Sequence, residues 1–200
     1  SNYHYVLWYN DDRTILVKHE EYPYRFSSEI PAPHWMYLSS LADNSLSYHE
    51  EIAAYLVAHP ETKLAFQPGT FQIKLGVEKL KGLYGRSTLF FCNKEEAERI
   101  LDLPSGTDMK DLLAKLRELG PQTVIITDGP RGACSYDGSH MLKVPMYPDQ
   151  KPPYERTGAG DAFASTIAVA LALGEPLEEA LLWGPINAMS VVQHVGAQKG

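Results

Sequence analysis

The chain has 200 residues, 44% of them apolar, enough to bury the core of one substantial domain with at most a small appendage. A formal net charge of −7 argues against a broad surface for nucleic acid or anionic membrane and leaves room only for a local basic pocket. Cys92 and Cys134 sit in apolar, strand-like runs and read as buried free thiols, and the seven histidines lack the ligand spacing of a zinc site. No secretory leader, bilayer-length apolar run or N-x-Ser/Thr sequon is present, so a soluble cytoplasmic protein is expected. The opening Ser1-Asn2, without an initiator methionine, reads as a cloning scar or the start of a fragment.

Residues 5–9 and 14–19 are rich in aromatic and β-branched side chains and flank the turn signal Asn10-Asp11-Asp12-Arg13, which predicts a β-hairpin. Both of its faces are apolar, so a cover over each is expected. Residues 20–34, with prolines at 23, 31 and 33, read as a loop. From Trp35 onward strands and helices alternate. Strands are predicted at 35–39, Lys63–Phe66, 88–92 and Thr123–Thr127. Helices are predicted at 47–58, 71–83, 94–101 and 108–119, the last with Leu112, Leu113, Leu116 and Leu119 on one stripe. Residues 132–136 and 140–145 flank Asp137-Gly138, a second hairpin signal. A helix over 161–173 is apolar nearly all round, hence buried, and ends at Gly174 and Pro176. The last helix starts near Leu177, and Pro185 inside it predicts a kink or break. This alternation implies an α/β fold, a mostly parallel sheet covered on both faces by helices.

The stretch Thr157-Gly158-Ala159-Gly160-Asp161-Ala162-Phe163 runs two glycines and an alanine into an aspartate at a helix start. A helix N-terminus presents unpaired N–H groups and the positive end of a dipole, and small residues let an anion approach them. An acid at the same place can take a proton from a hydroxyl that attacks a phosphate. It is neither a Walker A loop nor a GxGxxG fingerprint. Taken alone, Asp161 also serves as an ordinary N-cap, and Asn93 with Glu96 as an ordinary capping box.

In context, Thr157–Ser165 and the apolar helix after it resemble the C-terminal signature of the ribokinase-like, or pfkB-type, carbohydrate kinases. Phe66-Gln67-Pro68-Gly69 is similar to that family's Asn-Pro-Gly strand end, and Asn93-Lys94-Glu95-Glu96 to its Asn-x-x-Glu motif. Ile125–Ala133 resembles its Thr-x-Gly-x-x-Gly-Ala segment. Asn187-Ala188 with Gly196-Ala197 resembles its last nucleotide-binding helix, and the opening hairpin resembles part of a substrate lid. The set falls in the family's order over about residues 5–198.

The resemblance implies a Rossmann-like sheet with a small β lid: residues 1–34 as a partial lid and connecting loop, 35–200 as the nucleotide-binding kinase domain. It implies ATP-dependent phosphorylation of a hydroxyl on a small sugar or sugar-like alcohol, with Mg²⁺. Asp161 would be the catalytic base, a role worth about 10²–10⁴ in rate. Gly158, Ala159 and Gly160, with Asp161, would form the anion hole. Asn93 and Glu96 would hold the Mg²⁺-bound phosphates through water, Glu96 as the metal residue. Thr127, Gly129 and Gly132 would line the ATP phosphates and ribose. Asn187 would lie against the adenine, although a lone polar residue in an apolar helix equally serves a helix–helix hydrogen bond. Pairing through the lid implies a homodimer.

Three departures stand out. Glu155-Arg156 replaces the family's Asp-Thr, which counts against monovalent-cation activation and puts the charge of Arg156 there instead. Gln67 stands where the family has Asn. The family's N-terminal third, with its first strands and the acidic residue that grips sugar hydroxyls, has no counterpart, so an exposed sheet edge is expected. Two other readings remain open: a nucleoside or vitamin-precursor kinase of the same superfamily, and a non-catalytic nucleotide-binding or dimerisation module.

Overall fold

The computed structural model describes residues 3–9, 12–18, 20–27, 29–149, 151–153 and 156–196. Residues 10 and 11 of the first predicted turn, Glu155, Ala197 and the side chains of Trp8 and Tyr9 lie outside the described residues.

Strands β1 (Tyr3–Tyr9) and β2 (Asp12–Lys18) form the expected antiparallel hairpin. Pairing reaches Tyr9 and Asp12, so Asp12 and Arg13, predicted as turn, belong to β2. The two strands make a sheet of their own. Tyr5 and Leu7 share a face with Leu16, the partner of Tyr5, and all three are exposed. The cover expected over each face is therefore missing from this one among the described residues. Residues 20–27 and 29–34 form no helix or strand, yet the segment is anchored on α1 (Leu46–Ala58) at Phe26. The Phe26 N–H donates to Glu51 at 2.7 Å, and the Phe26 ring meets Tyr55 edge-on at 4.8 Å.

The main sheet has the order β3-β4-β5-β6-β7-β8, with β3 (Trp35–Leu38), β4 (Lys63–Phe66), β5 (Ser87–Asn93), β6 (Thr123–Thr127), β7 (Ala133–Tyr136) and β8 (Met141–Val144). The first four are parallel and the last two join antiparallel. Parallel neighbours need crossovers, and helices supply them: α1, then α2 (Thr70–Leu75) with α3 (Lys81–Arg86), then α4 (Lys94–Ile100) with α5 (Met109–Glu118). After β8 come α6 (Ala159–Ala172) and α7 (Leu177–Val192).

The period of two along each strand sorts the side chains to opposite faces. Leu64 and Phe66, Phe90 and Cys92, and Val124 and Ile126 pack with Ile52 and Leu56 of α1, Leu83 and Tyr84 of α3, and the α5 leucines. Ala65, Leu89, Phe91 and Ile125 face Phe163, Ala164 and Ile167 of α6 and Ala180 and Leu181 of α7. Leu56, Leu64, Leu112 and Leu113 are fully excluded from water, each worth about 1.5–3 kcal/mol relative to an exposed side chain. Cys92 is buried as expected, whereas Cys134 is only half-buried, and both are free thiols.

Two element predictions need correction. The single helix over 71–83 is two helices, because Gly76 adopts φ 86° and ends α2; a right-handed helix cannot continue through that conformation. The break at Pro185 does not occur, and α7 runs through it. Pro185 is buried, and a Cβ on neighbouring Gly184 would come within 2.8 Å of the Phe163 ring. Packing of α7 on α6 at this Gly-Pro pair compensates for the one helical hydrogen bond that proline removes. Among the described residues no helix is long and apolar enough to cross a membrane.

Candidate active site

In an open α/β sheet the ligand crevice lies beyond the carboxyl ends of the strands, and the sequence-predicted residues gather there. Gln67 follows β4, Asn93 ends β5 and Thr127 ends β6, with Asn93 and Thr127 paired in register. Ala133, the first residue of antiparallel β7, pairs with Thr127, which brings Gly132 to the same end. A cavity of about 450 Å³ opens here, and its walls include Gln67, Asn93, Glu96, Thr127, Gly129 and Gly132. Gly158, Ala159, Gly160 and Asp161 add to the lining from the start of α6.

Gly158 caps α6 in the left-handed conformation, φ 85°, with no side-chain cap bond. Its carbonyl accepts from the Ala162 N–H at 2.8 Å. The Ala159 N–H reaches back to the Arg156 carbonyl at 3.4 Å, so the expected anion donors are not equivalent. The Gly160 and Asp161 N–H groups belong to the first turn, where intrahelical acceptors are lacking. A Cβ on Gly160 would meet nothing nearer than Gln67 Nε2, at 4.0 Å. The protein itself therefore leaves this position open toward the cavity.

Asp161 is exposed at the helix start. Its Oδ1 accepts from Gln67 Nε2 at 2.9 Å, and Gln67 Oε1 accepts from the Tyr37 hydroxyl. Partial burial and the negative charge of Asp161 push the Tyr37 phenol up to about 12, so it stays protonated and donates. Sequence reasoning missed Tyr37; an aromatic on an edge strand carries no signal for such a contact.

The loop that carries Gln67 is pinned from below. The Gln67 N–H donates to the Leu38 carbonyl at 2.9 Å and the Gly69 N–H to Gln72 Oε1 at 2.7 Å. Gln72 Nε2 donates to the Ser39 carbonyl and to His49 Nε2, both at 2.9 Å. His49 Nδ1 lies 2.7 Å from the Ser45 carbonyl, which requires the proton on Nδ1 and leaves Nε2 as acceptor. Burial lowers the His49 pKa, in keeping with a neutral ring.

Asn93 and Glu96 form a complete capping box at the start of α4. Asn93 Oδ1 accepts from the Glu96 N–H at 2.8 Å, and Glu96 Oε2 accepts from the Asn93 N–H at 2.9 Å. Burial raises the Glu96 carboxyl above its ordinary value; the Asn93 N–H and Arg99 oppose that, and Asp161 and Glu95 add to it. Two carboxylates of one sign near one cavity suit a hard cation held through oxygen, and Glu96 Oε1 makes no hydrogen bond within the box. Among the described residues no group of three or more His, Cys, Asp or Glu is arranged around a metal position.

Beyond β6, Asp128 holds Arg131 through two bonds of 2.6 Å, and the Asp128 N–H donates to the Gly132 carbonyl at 2.8 Å. Gly132 has φ 86°, and a Cβ there would lie 2.1 Å from the Val144 carbonyl oxygen. Only glycine fits this turn. Asn187 is not part of the cavity wall. Its Nδ2 donates to Thr166 Oγ1 at 2.8 Å, bonding α7 to α6, while Ala188, Met189 and Val192 line the cavity on that side. Arg156 also lines it.

The sequence matches the description of pfkB family carbohydrate kinases over residues 37–200. The chain belongs to this family. Members of the pfkB family include kinases such as ribokinase and phosphofructokinase. Curated relatives of this pfkB-type chain include a cytidine kinase of Thermococcus kodakarensis, 33% identical over 119 residues, covering 58% of this chain and 41% of the relative. A ribokinase of Bacillus subtilis is 39% identical over 82 residues, covering 41% and 27%. Among solved structures, Arabidopsis thaliana ribokinase complexed with ribose and ATP superposes with a TM-score of 0.77 at 21% identity, covering 93% of this chain and 61% of that one. The Methanocaldococcus jannaschii nucleoside kinase, described as an archaeal member of the ribokinase family, gives 0.74 at 20%, covering 99% and 63%. The pfkB-type chain thus has the ribokinase fold, and it spans less than two thirds of each of these relatives.

Proposed function

We propose that this chain carries the phosphoryl-transfer half of an ATP-dependent kinase whose acceptor is a hydroxyl of a small sugar or sugar-like alcohol. The observation that carries the proposal is one cavity shared by a carboxylate, an uncapped helix start and the ends of three strands. Asp161 takes the acceptor hydroxyl proton as the new P–O bond forms and the bond to the leaving ADP oxygen breaks. The first-turn N–H groups of α6, at Gly160 and Asp161 above all, stabilise charge on the transferred group. Thr127, Gly129 and Gly132 bind the phosphates and ribose. Glu96 and Asn93 hold Mg²⁺ through water, and the metal when bound neutralises phosphate charge. Asn187 fastens α7 to α6 and shapes the nucleotide wall from behind. The hairpin β1–β2 serves as a lid, and its exposed Tyr5, Leu7 and Leu16 support pairing with a second copy. The setting proposed is the cytoplasm.

A nucleoside acceptor is the second reading, supported by the 33% identity to a cytidine kinase. The same carboxylate acts in both. Asp161→Asn in the full-length protein is expected to lower kcat by about 10²–10⁴ while ATP binding by calorimetry is retained. Turnover equal to wild type would overturn the assignment. ATP binding without any acceptor-dependent ADP release in the wild type would favour a binding module.

A further inference from the structure

Asp161 needs more than a place at the cavity. A base must hold one oxygen toward the acceptor in a fixed orientation, and a misplacement of the order of 1 Å can cost about 10² in rate. Asp161 is exposed at the first turn of a helix, where nothing in the local sequence fixes its rotamer. What fixes it comes from 94 residues away. Gln67 Nε2 donates to Oδ1 at 2.9 Å, which leaves Oδ2 for the acceptor. Gln67 has two ways to turn its amide, and Tyr37 removes the ambiguity. Its hydroxyl donates to Oε1, so the NH₂ group must face the carboxylate. The backbone of Gln67 is itself tied to Leu38 of β3, and the following loop to Ser39 and His49 through Gln72.

We propose that Gln67, oriented by Tyr37, is a positioning residue that holds the Asp161 carboxylate in its proton-accepting geometry. The device couples two strand ends to the helix that carries the base, so the base is aligned by the sheet rather than by its own helix. The charged and titratable groups around this corner and its cavity include Tyr37 from β3, Cys92 from β5, Glu96 from α4, and Asp149 and Arg156 from the segment before α6.

The proposal rests on Asp161 being the acceptor-side base, and the experiment separates the two. ADP release from MgATP is followed in the full-length protein with ribose, cytidine and water as acceptors. Asp161→Asn releasing ADP at the wild-type rate overturns the reading of the base, and the positioning role with it. With that reading standing, Gln67→Met is expected to lower kcat about ten- to a hundredfold and leave KM for ATP unchanged. Gln67→Glu keeps the shape but sets a like charge against the carboxylate, so it lowers kcat and moves the acidic limb of the kcat–pH profile to higher pH. Tyr37→Phe gives a smaller loss, and adding it to Gln67→Met gives no further loss, because the two act through one contact. Wild-type kcat and an unmoved acidic limb in both Gln67 variants would overturn the proposal.

Discussion

Helices α4 and α6 both begin against the cavity wall, and their first turns are finished in different ways. At α4, Asn93 and Glu96 exchange two hydrogen bonds of 2.8 and 2.9 Å, so the helix start is satisfied by its own side chains. At α6 the cap is Gly158 at φ 85° without a side chain, followed by Ala159 and Gly160. Both starts have the positive end of a helix dipole, but only the second leaves its backbone open to a bulky anion. The comparison teaches that what is omitted from a helix N-terminus decides whether its backbone stays open. In the proposed kinase, α6 would meet the transferred phosphoryl with backbone, while α4 would act through the Glu96 carboxylate at longer range.

The largest break in this contrast should come from filling the open start. Gly160→Ala adds a Cβ that meets no protein atom nearer than 4.0 Å, so the fold should keep its stability or gain up to about 1 kcal/mol from helix propensity. ATP-dependent turnover should nevertheless fall by about 10² as the anion is held off its donors. Thermal melts and kcat on one preparation check both halves; turnover falling only in step with stability would remove the distinction between the two helices.

Removing the cap at α4 should show in the stability of the fold, which filling the start of α6 spares. Asn93→Ala is expected to cost about 1 kcal/mol in urea unfolding, since it deletes the acceptor for the Glu96 N–H. No change in the unfolding midpoint would show that the box does not stabilise α4.

The smallest effect sharpens the electrostatics. Burial, reinforced by Asp161 and Glu95, keeps the Glu96 carboxyl above its ordinary value. The folded protein therefore keeps a proton there that the unfolded chain has already released. Stability falls as pH rises from the unfolded carboxylate pKa through the raised one. Glu96→Gln retains a carbonyl for the Asn93 N–H and removes that loss. Unfolding at a series of pH values should show the variant gaining on wild type across that window; parallel curves would contradict the shift.

Much of the fold was legible because its signals are local. Lys63–Phe66 and Thr123–Thr127 are strands with the predicted ends, being short apolar runs with turn residues behind them. Helix α5 sits within one residue of its predicted ends, since its leucine stripe has a clear period. The helix over 71–83 failed at Gly76, because a glycine inside an apolar pattern does not announce its φ. The break at Pro185 did not occur for the opposite reason: the local signal was real, but α7 continues through it where Gly184 lies close against Phe163 of α6. The predicted site residues converge on one cavity except Asn187, whose partner Thr166 lies on another helix. Tyr37 was invisible, and Gln67 appeared only as a departure from a motif.

The sequence by itself determined the strand–helix alternation, the two-faced strands and the small-residue start of α6, because periodicity and steric permission act over a few residues. Only the tertiary structure decided that Gln67 grips Asp161, that Tyr37 turns the Gln67 amide and that Asn187 faces α6. Those contacts join side chains 21 to 94 positions apart. Their geometry exists only once the sheet has set its strand ends side by side.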